Sequence, residues 1–254
     1  MGKIIIKTPE EIEIMKGSGD VLCSCLDMLG EHCKAGITTL ELDKLAEEFI
    51  RDHNGIPTFK GYYGYPGSAC ISINDEVVHG IPSKRRVREG DIVSIDCGVT
   101  WNGYVSDSAR TFVVGEIPAE VQKLVDVTKE ALYLGIGEAR VGNYIRDIGR
   151  VVQQHCEKNG FSVVRDLVGH GVGKSMHEAP PVPNYEGSGK GPKLRAGMVI
   201  AIEPMINLGV YDVKQLADGW TYVTMDRKPS AHFEHTVAVT DDGPYILTDG
   251  LHRS

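Results

Sequence analysis

The sequence predicts an α/β (α+β) fold made of two similar halves. Three observations carry this: amphipathic helical segments in pairs, one strong hairpin signal, and echoes of the first half in the second. The first helix opens at Thr8-Pro9-Glu10-Glu11, a capping box with Pro at the first helical position, and Ile12, Met15, Leu22, Leu26 and Leu29 give it an apolar face. Gly17 and Gly19 weaken it locally. Thr38-Thr39-Leu40-Glu41 is a second capping box, and Leu42, Leu45, Ala46, Phe49 and Ile50 follow along one helical face.

Ile92 to Ile95 is an apolar strand ending in Asp96. Asn102-Gly103 is then a two-residue hairpin turn, and Tyr104 to Val114 reads as the returning strand. A third helix is predicted from about Ala119 to Ala139. In a fourth, Ile148, Val151, Val152, His155 and Cys156 restate the spacing of the second, 106 positions after Leu42. Phe161 to Val168 is strand-like, Pro180 to Pro192 reads as a loop, Met198 to Ile202 as a buried strand, and Ala231 to Val237 as another β-prone segment.

The echoes extend to the loops. His79-Gly80-Ile81-Pro82 returns as His177-Glu178-Ala179-Pro180. Val87-Arg88-Glu89-Gly90 leading to Asp96 returns as Leu194-Arg195-Ala196-Gly197 leading to Glu203, and a second acid follows in each half, Asp107 and Glu234. A duplicated helix-helix-strand unit, with halves of roughly 1–115 and 116–254, accounts for this order. No linker separates the halves, so a single domain over 1–254 is expected, with the site between them.

Composition narrows the partners. Lys+Arg 27 against Asp+Glu 35 gives a formal charge of −8, which argues against DNA or other nucleic acid as a ligand. No apolar run approaches the ~20 residues that cross a bilayer, and no export signal is visible, so a cytoplasmic address without membrane contact is expected. Six cysteines without a CxxC pair read as reduced thiols. Lys84-Arg85-Arg86 with Arg88 is a basic cluster on an acidic chain, either a solvated loop or a ribosome contact.

The chemistry lies in the acids. With the turn centred on Asn102-Gly103, Asp107 faces residue 98 and Asp96 faces residue 109, so both carboxylates share one face as diagonal neighbours roughly 7–8 Å apart. Glu203 and Glu234 stand at the ends of probable core strands, where a lone carboxylate costs several kcal/mol. Apart from Arg110 no basic residue lies beside these acids, so divalent metal is the better reading. An oxygen-rich set with one or two imidazoles suits Mn²⁺, Fe²⁺, Co²⁺ or Zn²⁺ in a two-metal hydrolytic centre. Gly169 to Ser175 mimics a phosphate loop, but the first glycine of that motif would fall on Val168 and prolines follow where a helix is needed. Its glycines instead let backbone pack closely around His170 and His177.

Asn74 to Pro82, Asp96, Ser106 to Thr111, Gly169 to Gly173, Met198 to Pro204 and Phe233 to Thr236, taken together, closely resemble the type I methionine aminopeptidases of the short bacterial kind. The resemblance spans nearly the whole chain. It implies the pseudo-symmetric pita-bread fold, a curved antiparallel sheet covered by two pairs of helices, and a dinuclear hydrolase removing N-terminal methionine from nascent polypeptides and short peptides with a small second residue. It implies Asp96 on one ion, His170 and Glu203 on the other, Asp107 and Glu234 bridging both, and a water or hydroxide between the ions as nucleophile. Glu203 would also carry the proton, with His79 and His177 steadying the scissile peptide.

The implied methionine pocket is Phe59, Tyr62, Tyr65, Cys70, Met176 and Trp220, beside His79 and His177. Asn74 and Ser230 fall where the family often holds a sodium or potassium ion, and a monomer is expected. Three positions depart from the common pattern: Phe59 stands for Cys, Met176 for Phe and His232 for Gln. The rival readings are a proline-specific aminopeptidase or prolidase of the same fold, and a non-catalytic peptide-binding relative. The former generally carries an extra N-terminal domain for which Thr8 leaves no room. The 31-residue gap from Glu203 to Glu234 likewise leaves no space for the type II insertion. Five retained ligands speak against the non-catalytic relative.

Overall fold

Thr8 caps the first helix as its sequence requires. In this computed structural model, which describes residues 2–250, the Glu11 amide donates to Thr8 Oγ1 at 3.3 Å and the Thr8 amide donates to Glu11 Oε2 at 2.9 Å. α1 runs Pro9–His32. It stays unbroken through Gly17 and Gly19 because those positions meet neighbours: a Cβ on Gly19 would lie 2.0 Å from the Leu247 carbonyl oxygen. α2, Thr39–Asp52, carries the second capping box, and α3 (Ala119–Gly137) and α4 (Ile145–Lys158) follow. α4 lies 106 positions after α2 at both ends, 39 to 145 and 52 to 158, so the echoed apolar spacing corresponds to two helices of one length.

The hairpin is in the expected register. Ile92–Trp101 pairs antiparallel with Tyr104–Val113, placing Gly98 opposite Asp107 and Asp96 opposite Ala109. Ile56–Pro57 and Ala69–Ile73 complete this sheet. In the second half Val199–Ile202 is the middle of a five-stranded sheet, flanked by His235–Thr240 and Gly169–Gly171, with Gly243–Ile246 and Glu178–Val182 at the edges. Two three-stranded sheets join Ser162–Val163, Met205–Asn207 and Ser230–His232, and Glu76–Val78, Tyr222–Thr224 and Val213–Gln215. All these ladders are antiparallel. The fold is mixed α/β with its helices in two pairs, α1 with α2 and α3 with α4.

Two local expectations are corrected. Only Ser162–Val163 of the segment Phe161 to Val168 is a strand, since Arg165 and Asp166 carry the chain to the surface before it turns into Gly169–Gly171. Pro180 and Pro181, expected in a loop, lie in the strand Glu178–Val182. That strand is an edge, where the missing proline amides are tolerated.

Two separate cores fill the two sides of the molecule. Leu22, Leu26, Leu42, Ile50, Ile71 and Ile95 belong to the first, and Leu124, Leu132, Ile148, Val152, Ile200 and Ile202 to the second. A third cluster bridges them, from Met15, Tyr65 and Cys70 to Val172, Met176 and Ala238. The site opens on this bridging cluster.

Candidate metal centre

Asp96 and Asp107 project from the same face of the hairpin because their separation is odd across a two-residue turn. Arg110 belongs to the opposite face and pairs with Asp27 at 2.5 Å. Glu203 ends the Val199–Ile202 strand, and its carbonyl accepts the Asn184 side-chain amide at 3.0 Å. Glu234 lies between two strands and is tied to the hairpin: its amide donates to the Ala109 carbonyl at 2.9 Å, and Ser108 Oγ donates to its carbonyl at 2.7 Å. Two further hydroxyls continue this seam. Thr111 bonds both main-chain groups of His232, and Thr236 both of Asp107.

His170 comes from Gly169–Gly171, where added side chains would collide. A Cβ on Gly169 would lie 2.3 Å from the Ala201 carbonyl oxygen, and one on Gly171 would lie 2.3 Å from that of Ala179. The glycines therefore serve close strand packing around the imidazole. His170 Nδ1 contacts the Gly171 carbonyl at 2.9 Å, which as donor leaves Nε2 with a free lone pair, and this atom is 3.6 Å from Asp107 Oδ2 and 3.7 Å from Glu203 Oε1. Donor atoms of Asp107, His170 and Glu234 lie within 4.8 Å of one another.

These contacts are too long for hydrogen bonds and suit donors arranged about an ion. Asp96 Oδ1, Asp107 Oδ1 and Glu234 Oε1 are buried without a hydrogen-bond partner, and among the described residues no Lys or Arg is ion-paired with any of the four acids. Burial, then mutual repulsion, pushes the Asp96, Glu203 and Glu234 carboxyls well above the usual range, and burial raises Asp107 to about 7. A divalent cation resolves all of this at once, by supplying the missing partner and favouring the ionised acids. Four carboxylates and an imidazole fit such an ion.

One cavity of about 690 Å³, its open mouth included, is lined by all five candidate ligands and by Phe59, Tyr62, Tyr65, Cys70, His79, Met176, His177 and Trp220. Tyr65 and Trp220 meet edge to face at 5.1 Å between ring centres. The Tyr62 hydroxyl is 2.9 Å from His177 Nδ1. Burial lowers the His79 and His177 imidazoles to about 4, so both are neutral near pH 7. His79 has φ 59°, a left-handed conformation unusual for a non-glycine residue and often kept where a side chain is presented to a site.

Sequence reasoning missed Tyr63, which also lines the mouth. The run Tyr62-Tyr63-Gly64-Tyr65 was the available signal. It also missed the hydroxyl seam and the buried pair Lys7–Glu178 (2.6 Å), which anchors the residue after His177. Asn74 and Ser230 are adjacent, the Ser230 amide donating to the Asn74 carbonyl at 2.9 Å, while the Asn74 side-chain oxygen accepts the Ile92 amide. Of the departing residues, Phe59 and Met176 face the cavity. His232 is buried beside Glu203, 3.8 Å from it.

A cavity lined by four unneutralised acids, the His170 imidazole and two neutral histidines suits a metal-dependent peptidase. The chain belongs to metallopeptidase family M24, whose model matches residues 13–241. Within that family it groups with the methionine aminopeptidases. It is 55% identical to the methionine aminopeptidase of Clostridium perfringens over 96% of this chain and 98% of that one, and 51% identical to methionine aminopeptidase 1 of Bacillus subtilis over 96% and 99%. The crystal structure of the methionine aminopeptidase from Thermotoga maritima superposes with a TM-score of 0.95 at 44% identity, covering 97% of this chain and 99% of that one. The prolidase from Pyrococcus furiosus shares the fold at TM-score 0.76 and 25% identity, but this chain spans only 65% of it.

Proposed function

We propose that this chain, acting as a single domain over residues 1–254, removes the N-terminal methionine from nascent polypeptides and short peptides in a divalent-metal-dependent hydrolysis. The observation that carries the reading is the convergence of four acids and His170 on one cavity whose other lining is largely apolar and aromatic. Cobalt, manganese, iron or zinc held by Asp96, Asp107, His170, Glu203 and Glu234 supplies Lewis-acid polarisation and a more acidic attacking water.

The chain's own groups do the rest. Glu203, with its carboxyl pushed upward by burial, takes the proton of the attacking water and returns it to the leaving amine. Tyr62 donates its hydroxyl proton to His177 Nδ1, which leaves the imidazole proton on Nε2 to meet the scissile carbonyl oxygen as negative charge develops. His79, which lines the same cavity, holds the same peptide group. Met176, Cys70 and the Tyr65–Trp220 pair enclose the unbranched thioether side chain. The apolar lining takes the first side chain, and a small second residue passes the mouth beside Tyr62 and Tyr63.

A cytoplasmic monomer fits this role, and a sodium or potassium ion at Asn74 and Ser230 belongs to the same proposal. Lys84, Arg85, Arg86 and Arg88 are exposed, with Arg85 paired to Glu76 at 2.7 Å. A ribosome contact there predicts weaker co-sedimentation on neutralisation, with unchanged cleavage of free peptide. The deciding test of the main reading is chelator-stripped protein given Met-Ala-Ser with and without Mn²⁺ or Co²⁺. Metal-dependent release of methionine is expected. Binding without cleavage selects the non-catalytic reading, and cleavage of Xaa-Pro peptides instead selects the proline-specific one.

A further inference from the structure

One buried polar atom beside the site has no partner and no role in the mechanism above. His232 is 1% exposed and its Nε2 makes no hydrogen bond. Its main chain is fixed: the His232 amide donates to Thr111 Oγ1 at 2.9 Å, that hydroxyl donates to the His232 carbonyl at 2.8 Å, and Met205 pairs with it across the ladder. The ring lies against Glu203, with Nε2 3.8 Å from Oε2, while Oε1 of the same carboxylate is 3.7 Å from His170 Nε2. Each oxygen of Glu203 therefore faces its own imidazole.

An unpaired buried nitrogen costs stability in the resting chain, so packing alone does not account for it. It has a use in the state where Glu203 is ionised beside a cation. Then Oε2 needs a donor, and closing about 0.6 Å brings Nε2–H into the normal hydrogen-bond range. His232 does not line the cavity that all five candidate ligands line, which argues for an outer position rather than a sixth ligand.

We propose that His232 is a positioning residue for Glu203: Nε2–H holds Oε2, keeping Oε1 turned toward His170 and the ions. This rests on the metal-centre reading above. The test compares the unaltered protein with His232→Leu, His232→Gln and, as a separate control of that reading, Asp96→Asn. Each is followed by thermal unfolding of metal-free protein, calorimetric titration with Co²⁺, the visible Co²⁺ spectrum, and kcat and KM on Met-Ala-Ser.

His232→Leu is expected to unfold no earlier than the unaltered protein without metal, since it deletes an unpaired polar atom. It should bind Co²⁺ about 10- to 100-fold more weakly and lose kcat with KM little changed, whereas the Gln side-chain amide should restore most of both. Equal Co²⁺ affinity in His232→Leu, or no recovery in His232→Gln, overturns the proposal. So does loss of a nitrogen ligand from the Co²⁺ spectrum of His232→Gln, which makes His232 a direct ligand. Weakened Co²⁺ binding in Asp96→Asn upholds the metal centre whatever His232 does, and unchanged binding in Asp96→Asn counts against the centre itself.

Discussion

Thr236 Oγ1 accepts the Asp107 amide at 2.9 Å and donates to the carbonyl of the same residue at 2.8 Å, across 129 positions of sequence. One hydroxyl thus holds a candidate ligand of the first half against the strand that follows Glu234. Thr236→Val keeps the shape and leaves two buried main-chain groups unsatisfied. A loss of about 2–4 kcal/mol is expected in urea unfolding of metal-free protein, with Thr236→Ser losing less. Equal stability of the Val variant would show that the hydroxyl is not a seam.

Asp107 has its carboxyl raised from 3.8 to about 7 by burial. A group raised on folding contributes its full stability below the unfolded value and loses it as pH climbs through the folded one. Metal-free Asp107→Asn should therefore melt above the unaltered protein at pH 8, with the gap closing by about pH 4. Added Mn²⁺ should reverse the order at pH 8. Thermal unfolding with chelator and with Mn²⁺ checks both, and a gap independent of pH rejects the assignment.

Tyr62 orients His177 through the hydrogen bond at Nδ1. Removing it in Tyr62→Phe should lower kcat on Met-Ala-Ser about five- to tenfold, the equivalent of one hydrogen bond, with a smaller change in KM. A change confined to KM would make Tyr62 a substrate contact instead.

Met176 is 4% exposed and lines the cavity. Met176→Ala enlarges the apolar end, so discrimination between Met-Ala-Ser and Leu-Ala-Ser should narrow by about tenfold in kcat/KM. Unaltered selectivity would move the specificity wall to Tyr65 and Trp220.

Local chemistry made much of this readable in the sequence. A two-residue Asn-Gly turn leaves one register for the hairpin, so the shared face of Asp96 and Asp107 follows from counting. Capping boxes and apolar spacing likewise placed α1 and α2, and the displacement of α2 gave α4. What stayed hidden depends on approach between distant segments. Tyr62 meets His177, Lys7 meets Glu178 and Thr236 meets Asp107 with no pattern in the chain to announce them. Pro180 and Pro181 read as loop because edge position, which tolerates them, is a property of the finished sheet. That His232 turns its ring to Glu203 required the β ladder to Met205 and the grip of Thr111.

The hydroxyl seam also bears on the protein's life in a cell. Thr111, Ser108 and Thr236 clasp the two halves by protein atoms alone, so the basin for the ions is present before any ion arrives. The chain stripped of metal is therefore expected to keep its secondary structure through chelation and resupply of Mn²⁺, which far-UV circular dichroism would follow.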